Sequence, residues 1–290
     1  MSWTLAIHGG AGTPNPEELT PAREAEYRAG LLAALEAGRA VLEGGGAALD
    51  AVIAAVVALE EHPLFNAGRG STLTAGGRVE MDASVMDGAT GHAGAVAGVT
   101  RIRNPIRAAR LVMQRTPNVL LAGAAADAFA AAEGLVMQEP AWFETPHRRA
   151  QLEVARARGV VAQDHDIATR TGTVGAVARD AAGRLAAATS TGGMTNKRDG
   201  RVGDSPVIGA GTWADGTVAV SCTGTGEAFL RAAAAHEVSA LMRHSGLPLP
   251  AAAERVVLGD VPRAGGSGGL IAVDAAGESA LIFGTPGMHR

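Results

Sequence analysis

The stretch TRTGTVGAV, from Thr169 to Val177, sets three threonines within five positions and then turns into a glycine-flanked apolar run. A threonine hydroxyl is a weak nucleophile at neutral pH and needs a base beside it. One solution dispenses with a separate base. A threonine that starts a chain uses its own α-amino group, which titrates at about 7.7–8, against about 10.4 for a lysine. Such a residue has to be uncovered by cutting the chain, and the pair Gly172–Thr173 suits a cut the chain makes itself. The threonine hydroxyl attacks the preceding carbonyl, and glycine tolerates the strained backbone that attack requires. Taken alone, the same residues also fit a threonine that opens a strand, because β-branched side chains favour strands.

Other signatures are weaker. GGSGG, Gly265 to Gly269, matches G-x-S-x-G, but a nucleophile elbow needs a helix after the serine and here a strand follows Ser267. HGGAG, His8 to Gly12, ends a strand, yet it lacks the Lys-Ser/Thr of a phosphate loop and the spacing of a dinucleotide site. His62 and His165 have no partners at metal-ligand spacing, and the single cysteine, Cys222, has neither a disulfide partner nor a zinc set. The net charge of −4 offers no basic face to nucleic acid. No apolar run approaches the roughly 20 residues of a membrane span, and MSWTLAIHGG lacks the layout of an export signal. The expectation is a soluble cytoplasmic protein with no nucleic-acid or membrane partner.

The elements that must position these residues follow from patterning. WTLAIHGGAGT reads as a short strand ending in a glycine loop. Leucines and alanines at helical spacing predict helices over about 21–42 and 47–59, with a further one over about 118–132. RVEMDASVMDG and HAGAVAGVT read as strands, and Pro105 sits where a helix would start. Residues 145–171 are polar and charged and read as a mobile connector, with 148–158 open to a helical reading. Two pairs of alternating runs, each joined by DAAG, predict hairpins at 173–191 and 268–285, and an amphipathic helix is expected over about 227–245. Strands arrive in antiparallel pairs, and so do helices, which argues for packed sheets with helices outside rather than βαβ units. Glycine is abundant at 40 residues and aromatics make up 3% of the chain, so layers can approach closely. Codon bias accounts for the alanine tracts and for an arginine surplus beside one lysine, Lys197.

Several blocks in fixed order carry a resemblance: IHGGAGT, LEEHPLFNAGRGS, MDASVMDG, AGAVAGVTRIRNPIRAARLVM, TGTVGAVARDAAGRLAAATSTGGMTNKRDGRVGDSPVIGAG, SCTGTGE and GGSGGLIA. Together they span the chain, which strongly resembles the isoaspartyl peptidase/L-asparaginase family, the plant-type asparaginases of the N-terminal nucleophile hydrolase class. The resemblance implies an α+β fold, a four-layer αββα sandwich over residues 1–290. It implies cleavage between Gly172 and Thr173 into an α subunit, 1–172, and a β subunit, 173–290, and a dimer of such heterodimers.

The resemblance also implies roles. Thr173 falls on the nucleophile, and Thr191 on the second threonine, whose hydroxyl holds the nucleophile's amine. Arg201 and Asp204 fall on the clamp for a substrate's free amino-acid end. Their types suit it, a guanidinium for carboxylate and a carboxylate for ammonium. Thr223 and Gly224 fall on the oxyanion hole. Asn66, Gly9 and Gly10 fall beside the processing site. A structural sodium ion is implied on backbone carbonyls of Leu59, Glu60, His62, Phe65, Ala67 and Arg69, with no cofactor for the chemistry. The implied substrates are L-asparagine and β-aspartyl (isoaspartyl) dipeptides. Glycosylasparaginase of the same fold is a rival, as is a noncatalytic nucleotide-binding module built on the glycine loops.

Overall fold

The computed structural model describes residues 2–12, 20–161 and 172–290. Strands β1 (Thr4–His8) and β2 (Gly10–Ala11) precede helices α1 (Pro21–Glu43) and α2 (Ala48–Glu61). Then come β3 (Met81–Asp87), β4 (Ala93–Val99), α3 (Pro105–Arg115), β5 (Leu120–Ala122) and α4 (Gly123–Ala132). A single turn, α5 (Pro140–Phe143), leads to α6 (Pro146–Arg158). The second half holds β6 (Val174–Arg179), β7 (Leu185–Thr191), β8 (Thr212–Ala214), β9 (Val218–Gly224), α7 (Gly226–Ala232), α8 (Ala234–Ser245) and α9 (Leu249–Arg255). It ends with β10 (Gly268–Asp274), β11 (Ser279–Phe283) and β12 (Met288–His289).

Six strands form one sheet in the order β1-β6-β7-β3-β4-β5, four form a second in the order β11-β10-β9-β8, and β12 pairs with β2. Helices α1 and α2 cover the outer face of the large sheet, while α8 and α9 cover the outer face of the small one. The inner faces meet in a layer of small and branched side chains that includes Ala6, Val177, Ala187, Ala219, Ile271 and Val273. This is an αββα sandwich, and each sheet buries one face under helices and the other against its partner.

Local chemistry explains the elements that carry the site. Thr20 caps α1 by accepting the Arg23 N–H, and Pro21 takes the first helical position, where a missing N–H costs nothing. The buried residues of α1, Tyr27, Gly30, Ala34, Gly38 and Leu42, recur at helical spacing and form one stripe. Both DAAG hairpins form as expected, pairing β6 with β7 and β10 with β11.

Three expectations need correction. The helix expected over 118–132 begins only at Gly123, because Leu120–Ala122 pair in parallel with β4. The helix expected over 227–245 is two helices, broken at Ala233, whose φ of 47° is left-handed. Of the connector expected over 145–171, the part left open to a helical reading, 148–158, is helical and starts two residues earlier as α6, capped by Thr145 and stopped by Gly159 at φ 65°. Residues 162–171, with His165, Thr169 and Thr171, lie outside the described residues.

Candidate active site

Register brings the first two threonines together. Val174 pairs with Ser190 in the β6–β7 ladder, so one step beyond it Thr173 faces Thr191. Thr173 Oγ1 donates to Thr191 Oγ1 at 3.1 Å, and the Gly193 N–H donates to the same Thr191 oxygen at 3.0 Å. Thr191 therefore accepts twice and keeps its own O–H to donate. Both side chains are almost wholly buried.

Thr223, at the end of β9, reaches this centre from the second sheet. Its Oγ1 accepts the Ala11 N–H at 2.9 Å and stands 3.1 Å from where a Cβ on Gly172 would be. Gly224 beside it has φ 148°, and a Cβ there would meet the Ser267 carbonyl at 2.4 Å, so only glycine fits. The glycine loop closes over the other side. A Cβ on Gly10 would lie 2.5 Å from the Gly172 carbonyl carbon, and one on Gly9 would lie 2.6 Å from the Phe65 ring. The loop is clasped by β12, with Met288 opposite Ala11 and His289 opposite Gly10. The N–H groups of Gly9, Ala11 and Gly12, which a phosphate would need, are already given to the His289 carbonyl, Thr223 Oγ1 and the Gly287 carbonyl.

Asn66 acts as a bracket. Its Nδ2 donates to the Gly193 carbonyl at 2.7 Å, its Oδ1 accepts the Thr72 N–H at 2.9 Å, and its own carbonyl accepts the Gly192 N–H. The turn after Thr191 is thereby fixed to the loop after α2. In the last turn of α2 Glu60 is buried, accepting Ser190 Oγ at 2.7 Å and the Ile106 N–H at 3.0 Å. Burial pushes its carboxyl up to about 8. The six carbonyls expected to hold sodium belong to the same winding. Those of Leu59, Glu60 and His62 already accept backbone N–H groups from His62, Arg69 and Phe65. Each carbonyl keeps a second lone pair, so the winding is chemically compatible with a hard cation held by main-chain oxygen. The side chains of His62, Phe65 and Arg69 are engaged in ring contacts, and Ala67 is buried.

The expected clamp also comes together. A Cβ on Gly226 would lie 2.7 Å from Arg201 Nη2 and 3.0 Å from Asp204 Oδ1, so both side chains converge at the start of α7. Asp204 is buried, and its Oδ2 has no hydrogen-bond partner among the described residues. Burial pushes its pKa up to about 7, against the downward pull of Arg201. Arg201 is already engaged: its Nε and Nη2 donate to Glu227 Oε1 and Oε2, both at 2.9 Å. Sequence reading missed Glu227. Its place in the first turn of α7, three residues after Gly224, was the available signal, since an acid there suits the helix dipole.

A chain of buried hydroxyls beneath β6 was also missed. His8 Nε2 lies 3.0 Å from Ser221 Oγ, which lies 2.7 Å from Thr189 Oγ1. Thr212 Oγ1 donates onward to Thr189, and Ser84 Oγ donates to Thr212 at 2.8 Å. Burial lowers the His8 pKa to about 3, opposed by a bond to the Thr173 backbone, so the ring is neutral.

Beside the clamp opens a cavity of about 730 Å³ whose wall includes Met194, Lys197, Arg198, Arg201 and Glu227. Among the described residues no group of His, Cys, Asp and Glu is placed to hold a metal, and no helix is long and apolar enough to cross a membrane.

Residues 1–290 match a family model described as asparaginase. An isoaspartyl peptidase of Salmonella typhimurium is 53% identical over 292 residues, covering 99% of this chain and 93% of its own. An isoaspartyl peptidase of Escherichia coli is likewise 53% identical, with 99% and 91% covered. A human isoaspartyl peptidase/L-asparaginase is 43% identical over 280 residues, with 96% and 89% covered.

Proposed function

The chain belongs to the asparaginase family, and from that premise we propose that it is a self-cleaving amidohydrolase acting on L-asparagine and β-aspartyl dipeptides. The observation that carries this reading is the meeting of three threonine hydroxyls at the Gly172–Thr173 peptide.

In the cut, Thr173 Oγ1 attacks the Gly172 carbonyl carbon while its proton passes to the departing nitrogen. The C–N bond breaks, and water hydrolyses the ester left between Gly172 and Thr173. The new α-amine is then the base for turnover. It takes the hydroxyl proton as Oγ1 attacks the substrate's side-chain carbonyl, and the Thr223 O–H and Gly224 N–H receive the developing negative oxygen. The C–N bond breaks, and the leaving amine departs with the proton held by the Thr173 ammonium. Water then attacks the β-aspartyl ester, with the α-amine again the base, releasing aspartate. Arg201 takes the substrate α-carboxylate and Asp204 the α-ammonium. Thr191 donates to and orients the nucleophile's end. A sodium ion would sit on the carbonyls of Leu59, Glu60, His62, Phe65, Ala67 and Arg69 and stiffen the winding that carries Asn66, taking no part in the chemistry. The processed unit pairs with a second copy in the cytoplasm.

Intact mass spectrometry of the purified protein tests this. Two chains are expected, the second beginning at Thr173, together with ammonia release from L-asparagine. A single uncut chain after prolonged incubation would overturn the reading.

A further inference from the structure

Among the described residues the cavity beside the clamp has three cations on its wall, and they are not equivalent. Lys197 is buried, donates from Nζ to the Glu80 carbonyl at 2.7 Å, and has the buried carboxylate of Asp82 as its strongest attractive neighbour. Arg201 is held bidentately by Glu227, the acidic side chain on this wall. Arg198 is different: it is exposed, and among the described residues its guanidinium has no hydrogen bond or ion pair. The neighbouring carboxylate of Asp199 is turned away, accepting the Gly76 N–H at 3.0 Å and Arg78 Nη2 at 2.7 Å. Among the described residues the cavity thus presents one uncommitted positive charge, fixed in sequence three residues before the clamp arginine.

The volume of about 730 Å³ is more than an asparagine side-chain amide needs and lies within the range of sites for larger small molecules. Met194 and Pro262 add apolar surface to the same wall. A site already supplied with Arg201 for the α-carboxylate of the aspartyl head has a use for a second cation only if the substrate brings a second anion. Of the two proposed substrates, one does. Ammonia leaves asparagine without any charge to recognise, whereas the residue leaving a β-aspartyl dipeptide carries a carboxylate on its own α-carbon.

We propose that Arg198 forms a leaving-group subsite that takes the C-terminal carboxylate of β-aspartyl dipeptides, with Met194 and Pro262 receiving an apolar side chain of the departing residue. The inference rests on the hydrolase reading above and adds to it a preference for free dipeptides. An internal isoaspartyl linkage, or a dipeptide capped as an amide, lacks the charge that Arg198 reads.

The test compares three substrates on the cleaved enzyme: β-aspartyl-leucine, β-aspartyl-leucinamide and L-asparagine. The unaltered enzyme is expected to show kcat/KM for the free dipeptide about three- to fivefold above that for its amide, the upper size of an exposed charge contact. In Arg198→Gln that ratio collapses to within about twofold, while L-asparagine hydrolysis stays within about twofold of the parent. Arg198→Lys keeps part of the preference and serves should the glutamine variant fail to fold. An unaltered enzyme that treats acid and amide alike, or an Arg198→Gln variant that loses both equally, overturns the subsite and leaves the hydrolase standing. A cleaved enzyme inert toward all three substrates overturns both.

Discussion

The nucleophile's surroundings and the clamp, whose Thr173 and Arg201 stand 28 residues apart in sequence, are built on opposite principles. Around Thr173 the groups are neutral and mostly matched: Thr191 accepts two donors, Asn66 uses both ends of its amide, and His8 is held uncharged with Nε2 against Ser221, its Nδ1 lacking a hydrogen bond among the described residues. In the clamp the groups are charged and incompletely matched. Asp204 is buried with an oxygen that nothing satisfies among the described residues, and Arg201 leans on Glu227. An unpaired buried polar group costs about 1–3 kcal/mol, and more when charged. Neutral hydroxyls can complete one another before any substrate arrives, whereas a buried carboxylate is completed only by the ammonium it is there to bind. The first region is finished by folding and the second by ligand.

This contrast can be broken from either side. The largest effect is expected in Thr173→Ala, which should abolish both chain cutting, followed by denaturing gel, and asparagine hydrolysis. Full activity in that variant would remove Thr173 from the centre of the scheme. Next comes Asp204→Asn, with kcat/KM for L-asparagine falling by about 100- to 1,000-fold, as for loss of one partner in a buried charge pair. The pH profile sharpens the point. Asp204 is raised to about 7, so in the parent its clamp function is lost as pH falls through that value, in addition to protonation of the α-amine. The acid limb of log kcat/KM should therefore approach a slope of two in the parent and one in the variant.

A smaller effect is expected from Glu227→Ala, because the Arg201–Glu227 pair is part-exposed, at 16% and 45% for the two side chains. KM for L-asparagine should rise about three- to tenfold with kcat nearly unchanged, since a partly screened contact orients the guanidinium without touching the reacting atoms. The smallest concerns His8. Its folded pKa of about 3 lies below the ordinary value of 6.5, so the stability it supplies is present above 6.5 and is lost as pH falls toward 3. Urea midpoints measured between about pH 6.5 and 4 should fall less steeply in His8→Gln than in the parent. Parallel slopes would mean that the ring is not held neutral.

Legibility in the sequence followed the range of the interactions. Thr173, Thr191, Arg201, Asp204 and Thr223 stand in dense local blocks, and the hairpin that aligns the first two was readable from alternation around DAAG. Glu227 escaped because its significance lies in a contact with Arg201, 26 residues away. The Ala11–Thr223 bond spans 212 residues and no pattern announces it. The break at Ala233 sits in a run of alanines that carries no stop signal, and β5 is three residues long, too short for alternation to register. The polar composition of α6 left 148–158 readable both as connector and as helix, although the cap, Thr145, and the stop, Gly159, were both visible.

The order β1-β6-β7-β3 has a consequence for the finished enzyme. Strands from before Thr173 flank strands from after it on both sides, and the last residues of the chain clasp the glycine loop near its start. While the chain is continuous, these partners find one another within one molecule, at a high effective concentration. Once the proposed cut is made, the same packing persists, but unfolding releases two molecules and recovery becomes bimolecular. Dilution, which has no hold on the folding of a single continuous chain, then becomes a denaturing condition for the enzyme that the chain turns into.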